Sequence, residues 1–226
     1  MPYPVVDAPY GFKPINLIGG QVFAGSTRNI PIQYNFGTNI FYGDVVGTAR
    51  GFITRSIVTT GASAITGSAG SGTIGVFLGC TFVSSVTGQP TYSQAWISGT
   101  SVKANTYITA YVADDPDTLF KAVGVTASLV VSTTTGFTYS SIGLNVALVA
   151  NTLNTTTNDS QQGLEVGSAA TTRSLPMRII DVVEDTAFVS SGTVYYPEVI
   201  VKFNAPYLTS VSLIVGGHAY NNPLGV

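Results

Sequence analysis

Gly75-Val76-Phe77-Leu78-Gly79-Cys80-Thr81-Phe82, a polar reversal through Thr87-Gly88-Gln89-Pro90, the stretch Tyr92 to Ile97, and Tyr107-Ile108-Thr109-Ala110-Tyr111-Val112-Ala113-Asp114-Asp115-Pro116-Asp117-Thr118-Leu119-Phe120 decide the fold class. Short β-branched and aromatic runs, broken by Gly, Pro and Asp about every ten residues, predict antiparallel strands. Such side chains fit a pleated, half-buried surface, and the breakers supply the reversals. The same pattern runs outward in both directions. Asn29 to Tyr34, Ile40 to Tyr42, Val45-Val46 and Gly51 to Thr54 precede it; Val125 to Ser132, Ile142 to Ala150, Leu175 to Val183 and Val194 to Phe203 follow. Leu144 to Val149 and Glu198 to Phe203 alternate as strands with one wet and one dry face do. Pro31 lacks an amide donor and places its strand at a sheet edge. No segment reads as a helix, although Ser168 to Arg173 could form a turn. The expected fold is all-β, an antiparallel barrel or sandwich.

Gly70-Ser71-Gly72-Thr73-Ile74-Gly75 matches the glycine pattern of a dinucleotide-binding turn. That motif works when a strand leads in and a helix leads out, so that the pyrophosphate meets the helix N-terminus. Here the lead-in is a small-residue segment, Thr59 to Ala64, and the exit is strand-like. The match therefore reads as part of a low-complexity loop from Ala62 to Thr73, and no cofactor is expected.

The surface is expected to be neutral and hydroxyl-rich. Charged residues make up 9% of the 226 residues, against about 25% in an ordinary domain. The 9 basic and 11 acidic side chains are spread singly, with no patch to neutralise several phosphates, so nucleic acid is not an expected partner. Apolar runs are strand-length, far below the ~20 residues a spanning helix needs, so no membrane span is expected. Met1-Pro2-Tyr3-Pro4 does not have the pattern of a secretory leader. Without one, the sequons at Asn154 and Asn158 carry no weight.

The first 20 residues read as an extended arm. Pro2, Pro4, Pro9 and Pro14 interleave with Tyr3, Tyr10 and Phe12, and proline's fixed φ and missing donor disfavour helix and central strand. Ordering such a segment costs backbone entropy that only a groove for its rings can offset. Either a neighbouring subunit supplies that groove, making Tyr3, Pro9, Tyr10, Phe12 and Pro14 an interaction site, or the segment is a disordered tail. Residues 21–124 and 125–226 then form two β subdomains or one continuous domain. Asn151 to Thr172, poor in large apolar residues, reads as an exposed excursion and a candidate contact surface.

Catalytic constellations are weak throughout. Cys80 has one conceivable base, the single histidine His218 in the C-terminal tail, and reads better as a small buried hydrophobe. Asp114, Asp115 and Asp117 lack the spacing and trailing Glu of a calcium loop and read as a strand-ending turn, with Asp and Pro in favoured turn positions. No Gly-x-Ser-x-Gly occurs, and Glu165, Glu184 and Glu198 are too scattered for a glycosidase pair. An enzyme is not expected, and with it no catalytic residue, metal or small-molecule substrate.

Asp7-Ala8-Pro9-Tyr10-Gly11-Phe12-Lys13-Pro14-Ile15-Asn16-Leu17-Ile18-Gly19-Gly20 resembles the opening of virion structural proteins from tailed phages of marine bacteria and cyanobacteria. So do Asn39 to Val46, Gly75 to Cys80 and Val112 to Asp117; Met177 to Asp181 and the Asn204 region are similar more loosely. The resemblance implies a head decoration or cement protein on the outer capsid surface of a virion made in the host cytoplasm. It would clamp neighbouring copies of the major capsid protein, typically as a homotrimer at local threefold axes, and the family brings no catalytic residues. Two alternatives remain at this point: a tail or fibre component of the same virion, and a carbohydrate-binding module using Trp96 and Tyr92 as a stacking platform. A lone Trp in a strand favours core over platform.

Overall fold

The computed structural model describes residues 6–55, 57, 58, 65, 66, 72–126, 130–149, 156–171 and 175–204. Its strands are β1 (Lys13–Leu17), β2 (Arg28–Ile32), β3 (Val45–Ala49), β4 (Phe52–Arg55), β5 (Ile57–Val58), β6 (Ile65–Thr66), β7 (Gly72–Val83), β8 (Pro90–Ser93) and β9 (Ile108–Ala113). After them come β10 (Thr118–Val125), β11 (Asn145–Val146), β12 (Leu148–Val149), β13 (Gly163–Glu165), β14 (Met177–Val182), β15 (Phe188–Ser190), β16 (Thr193–Tyr195) and β17 (Glu198–Phe203). Strand accounts for 49% and helix for 5%, where an ordinary domain is roughly a third helix. The fold is all-β, as the alternation predicts, and the helical part among the described residues is three single 3₁₀ turns.

Two large sheets organise the chain. The first runs β2-β9-β7-β3-β4, with β8 added to β7. Its end strands β2 and β4 come back alongside one another, so the sheet curls into a nearly closed barrel. Inside lie Ile30, Ile32, Ile40, Val46, Ile53, Ile74, Phe77, Cys80, Trp96, Ile108, Ala110 and Val112. Pro31 sits on β2, which pairs only with β9, the edge position its missing donor requires. The second sheet runs β11-β14-β17-β10-β13-β12, with β1 paired to β10. Its core holds Phe12, Phe120, Phe137, Leu148, Leu164, Met177, Ile179, Val199, Val201 and Phe203.

Neighbouring residues divide between the two cores. Val46, Phe77 and Val112 point into the barrel, while Val45, Val76 and Ala113 join the second core. Strand alternation thus lets one wall serve both interiors. Two register shifts fall on β7: Ile74 is skipped where β3 passes from Val46 to Gly47, and Leu78 is skipped against β9. These bulges shift the phase of the long strand, so Ile74 and Phe77 both face inward.

Leu144 to Val149 has no wet face, since Asn145 to Val149 are all buried, and three further expectations need correcting. The first twenty residues do not form an arm set apart from the fold, over the part described. Lys13 to Leu17 is the edge strand β1, antiparallel to β10 with a bulge between Pro14 and Asn16, and Phe12 is fully buried in the second core. Ile40 to Tyr42 makes only isolated bridges, Ile40 to Trp96 and Tyr42 to Asp159, because the chain turns at Gly43 before a ladder can grow. The polar stretch after Asn151 is no exposed excursion in its later part. Ser160, Gln162 and Leu164 are buried, and Gly163–Glu165 is a sheet strand pairing with β10 and β12.

Candidate interaction site at the N-terminal segment

Pro9 to Pro14 is held by its own chain through both its backbone and its rings. Phe12 N–H donates to the Gly43 carbonyl at 3.0 Å, and the two segments touch so closely that only glycines fit. A Cβ on Gly11 would lie 2.6 Å from Ser160 Cβ and 2.8 Å from Gly43 O, and one on Gly43 would lie 3.0 Å from Phe12 N. Both residues also have positive φ, +78° and +87°, which costs a glycine no side-chain clash. This crossing delivers the Phe12 ring into the second core, where its burial contributes about 1.5–3 kcal/mol.

Tyr10 is sealed by charge. Its hydroxyl donates to Glu198 Oε1, a carboxylate 4% exposed that also accepts from Lys121 Nζ at 3.1 Å. Lys13 Nζ stands 4.4 Å from the Tyr10 ring centroid and Lys121 Nζ 5.5 Å, within cation–π range. Burial, then the hydrogen bond and charge of Glu198, push the phenol's pKa up, so Tyr10 is a neutral donor at every physiological pH. Pro9 is buried and Pro14 half-buried, opposite Phe120 in the ladder. Tyr3 lies outside the described residues. The residues read as an interaction site are therefore brought together, but Phe12 and Pro9 face the chain's own interior.

Behind this crossing is a polar junction that sequence reasoning missed. Asp44 is fully buried. It accepts from Phe41 N–H at 2.9 Å, from Arg55 Nε at 3.0 Å and Nη2 at 3.4 Å, and from the Ser160 hydroxyl at 2.7 Å. Gln162 Oε1 takes the Val45 N–H at 2.8 Å and Ser160 N–H donates to the Tyr42 carbonyl at 2.9 Å. Desolvation raises the Asp44 pKa, against the lowering effect of Arg55, Phe41 N–H and Ser160. A fully desolvated carboxylate with four donors locks the lead-in of β3 to the segment before β13. The group ties the barrel to the second sheet.

The remaining candidates resolve one by one. Cys80 is fully buried in the barrel, its thiol 3.8 Å from the Ala95 carbonyl and its pKa pushed up to about 12 by burial. It is a small hydrophobe, not a thiolate. His218 lies outside the described residues. Asp114, Asp115 and Asp117 form a turn: Asp115 accepts from Asp117 N–H at 2.8 Å, Asp114 pairs with Arg28 at 3.5 Å and Asp117 with Lys202 at 3.6 Å. Gly72 to Gly75 belong to β7, so strand stands where a dinucleotide site needs a helix start; Gly70 and Ser71 lie outside the described residues. Trp96 is 1% exposed, its indole N–H donating to the Phe36 carbonyl at 3.1 Å and its ring edge-on to Phe82 at 6.2 Å. That removes it from any stacking platform.

Sequence reasoning also passed over a ribbon. Among the described residues β15 and β16 pair only with each other, turning at Ser191-Gly192 with φ of +50° and +80°. Val189 and Val194 face each other across it and are 60% and 43% exposed. A two-residue Ser-Gly turn between β-branched and aromatic runs is the signal that marks it. Comparison with protein-family models, curated proteins and solved structures finds no match for this chain.

Proposed function

We propose that this chain is a non-enzymatic decoration protein of a tailed-phage head, which binds the outer surface of the shell and stabilises it by bridging neighbouring major capsid proteins, as a homotrimer. The phage assignment and the trimer rest on the resemblance of Asp7 to Gly20 and of the matching segments. The observation that carries a contact role is the β15–β16 ribbon. It joins neither large sheet and leaves two β-branched side chains exposed across from each other. A two-stranded ribbon is marginal alone, and this one is stiffened at its base by Phe188 against Tyr195 at 5.6 Å and by the Phe137–Tyr196 bridge.

This reading moves the clamp from the N-terminal segment to the ribbon. Phe12 cannot fill a neighbour's groove while it fills its own core, whereas Val189 and Val194 stand exposed on a ribbon that neither sheet covers. Undecorated heads mixed with the protein and then pelleted test it. Wild type should co-sediment at saturating stoichiometry, and Val189→Ser with Val194→Ser should reduce occupancy while thermal unfolding stays unchanged. No co-sedimentation of the wild type, with folded protein left in the supernatant, would sink the head assignment.

A further inference from the structure

The outer face of the barrel at β8, β7 and β9 carries tyrosines among hydroxyl and small side chains. The ladder places Tyr92, Thr81 and Thr109 side by side, and in the next row Gly79, Tyr111 and Asn29. The Tyr92 ring is 62% exposed yet fixed at three points. Its hydroxyl donates to the Leu78 carbonyl at 3.0 Å, its ring leans on Tyr111 at 6.2 Å and 37°, and it lies over Gly79, where a Cβ would come within 2.4 Å of its oxygen. Gly79, with φ of +138° at the β7 bulge, makes room for the ring. One side of the ring is backed by protein and the other is open.

Polar groups lie close by in the chain and through one another: Gln94 follows Tyr92 by two residues and is bonded to Asp159. Asp159 is carried next to Tyr42 by a parallel bridge and takes Gln94 Nε2 on Oδ1 at 3.0 Å, which leaves Oδ2 clear of that bond. Tyr42 is half-buried, its pKa raised by burial, by Tyr92 and by Asp159, so near neutral pH its hydroxyl is a donor. Tyr111 is held by Thr81 at 3.1 Å. The strip holds rings, hydroxyls, amides and one carboxylate, with no lysine or arginine in the two rows.

We propose that this strip binds a neutral saccharide, one pyranose lying on the open face of Tyr92 with its hydroxyls bonded to Asp159 Oδ2, Gln94 and the Tyr42 hydroxyl. A sugar ring offers an apolar C–H face and an equatorial belt of hydroxyls. A pinned aromatic plane next to a carboxylate and an amide matches both, and a ring already immobilised loses little entropy on binding. The inference does not depend on the head assignment, since the contact it names lies on the barrel rather than on the ribbon.

The test uses the full chain and a set of neutral oligosaccharides built from glucose, galactose, mannose or N-acetylglucosamine, titrated with aromatic-region NMR as the readout. The expected result is a shift of the Tyr92 ring signals by at least one sugar, an affinity weakened at least about tenfold by Tyr92→Ala, weakened also by Asp159→Asn, retained by Tyr92→Phe, and unchanged by Tyr107→Ala. Should Tyr92→Ala not fold, Asp159→Asn and Gln94→Ala decide the matter: unchanged affinity in both overturns the proposal. It is equally overturned if no sugar in the set binds, or if Tyr107→Ala, at an exposed tyrosine outside the two rows, weakens binding as much. Loss of head binding by Tyr92→Ala without any sugar binding would assign the ring to a protein partner and overturn it too.

Discussion

Pro9 to Leu17 and Phe188 to Tyr195 are both short, aromatic and bordered by residues that break regular structure, yet they end in opposite situations. The first is stitched into a sheet edge, with Phe12 buried and Tyr10 bonded to Glu198. The second pairs only with itself and shows valines to solvent. Composition does not separate them. The difference is what the neighbours offer: β10 presents a free edge to β1, Gly11 and Gly43 permit a close crossing, and a buried carboxylate receives the Tyr10 hydroxyl. Among the described residues the ribbon joins no other sheet, and its valines stay exposed.

The largest expected effect tests the stitched side. Phe12→Ala should destabilise the protein by about 3–5 kcal/mol in urea unfolding, and removing residues 1–20 should cost at least as much, since it also strips β1 from β10. A truncated chain as stable as wild type would break the comparison at its root. Next comes the junction behind it: Ser160→Ala removes a donor from a fully buried carboxylate and should cost about 1–3 kcal/mol. Tyr10→Phe should cost less, about 0.5–1.5 kcal/mol, because Glu198 keeps Lys121; the two variants can be compared in the same unfolding series.

Cys80 sharpens the comparison from inside the barrel. Its pKa is pushed up from 9.0 to about 12, so the unfolded thiol ionises before the folded one. Stability owed to the neutral thiol is whole below about pH 9 and is lost as pH rises toward 12. Native protein at pH 8 should therefore resist a disulfide reagent that labels it at once in urea, and Cys80→Ala should lose less stability than wild type on the alkaline limb. Rapid labelling of the native protein would mean the barrel opens. The smallest effect belongs to the ribbon, where Val189→Ser with Val194→Ser should change stability by no more than about 0.5 kcal/mol, measured by the same unfolding, whatever it does to binding.

Much of the barrel is legible in the sequence because its strands obey a simple rule. Ile108, Ala110 and Val112 alternate with Thr109 and Tyr111, and they face inward and outward as period two requires. β7 obeys it less well, since two bulges reset its phase; Gly75 and Gly79 beside them are the signal that sequence reasoning passed over. Burial of Ser160 and Gln162 is illegible for a different reason: polar residues read as exposed unless their partners are known, and Asp44 and Val45 lie more than a hundred residues away. Trp96 and Cys80 read as core in the sequence and are core in the fold. Pro9 and Pro14 read correctly as hostile to helix and central strand. What they do not tell is that an edge strand, which tolerates Pro14, is available on β10.

β10 pairs with β1 from the chain's start, with β17 near the end of the described residues, and with β13 between them. The barrel needs nothing beyond Ala113 for its ladders, so on the ribosome it can close while the rest is still being made. The second sheet has to wait for Phe203. Through that interval Phe12 and β1, which precede the barrel strands in the chain, travel with a finished barrel and an unfinished sheet. This is the window in which an unpaired β10 edge could take a strand from a neighbouring nascent chain.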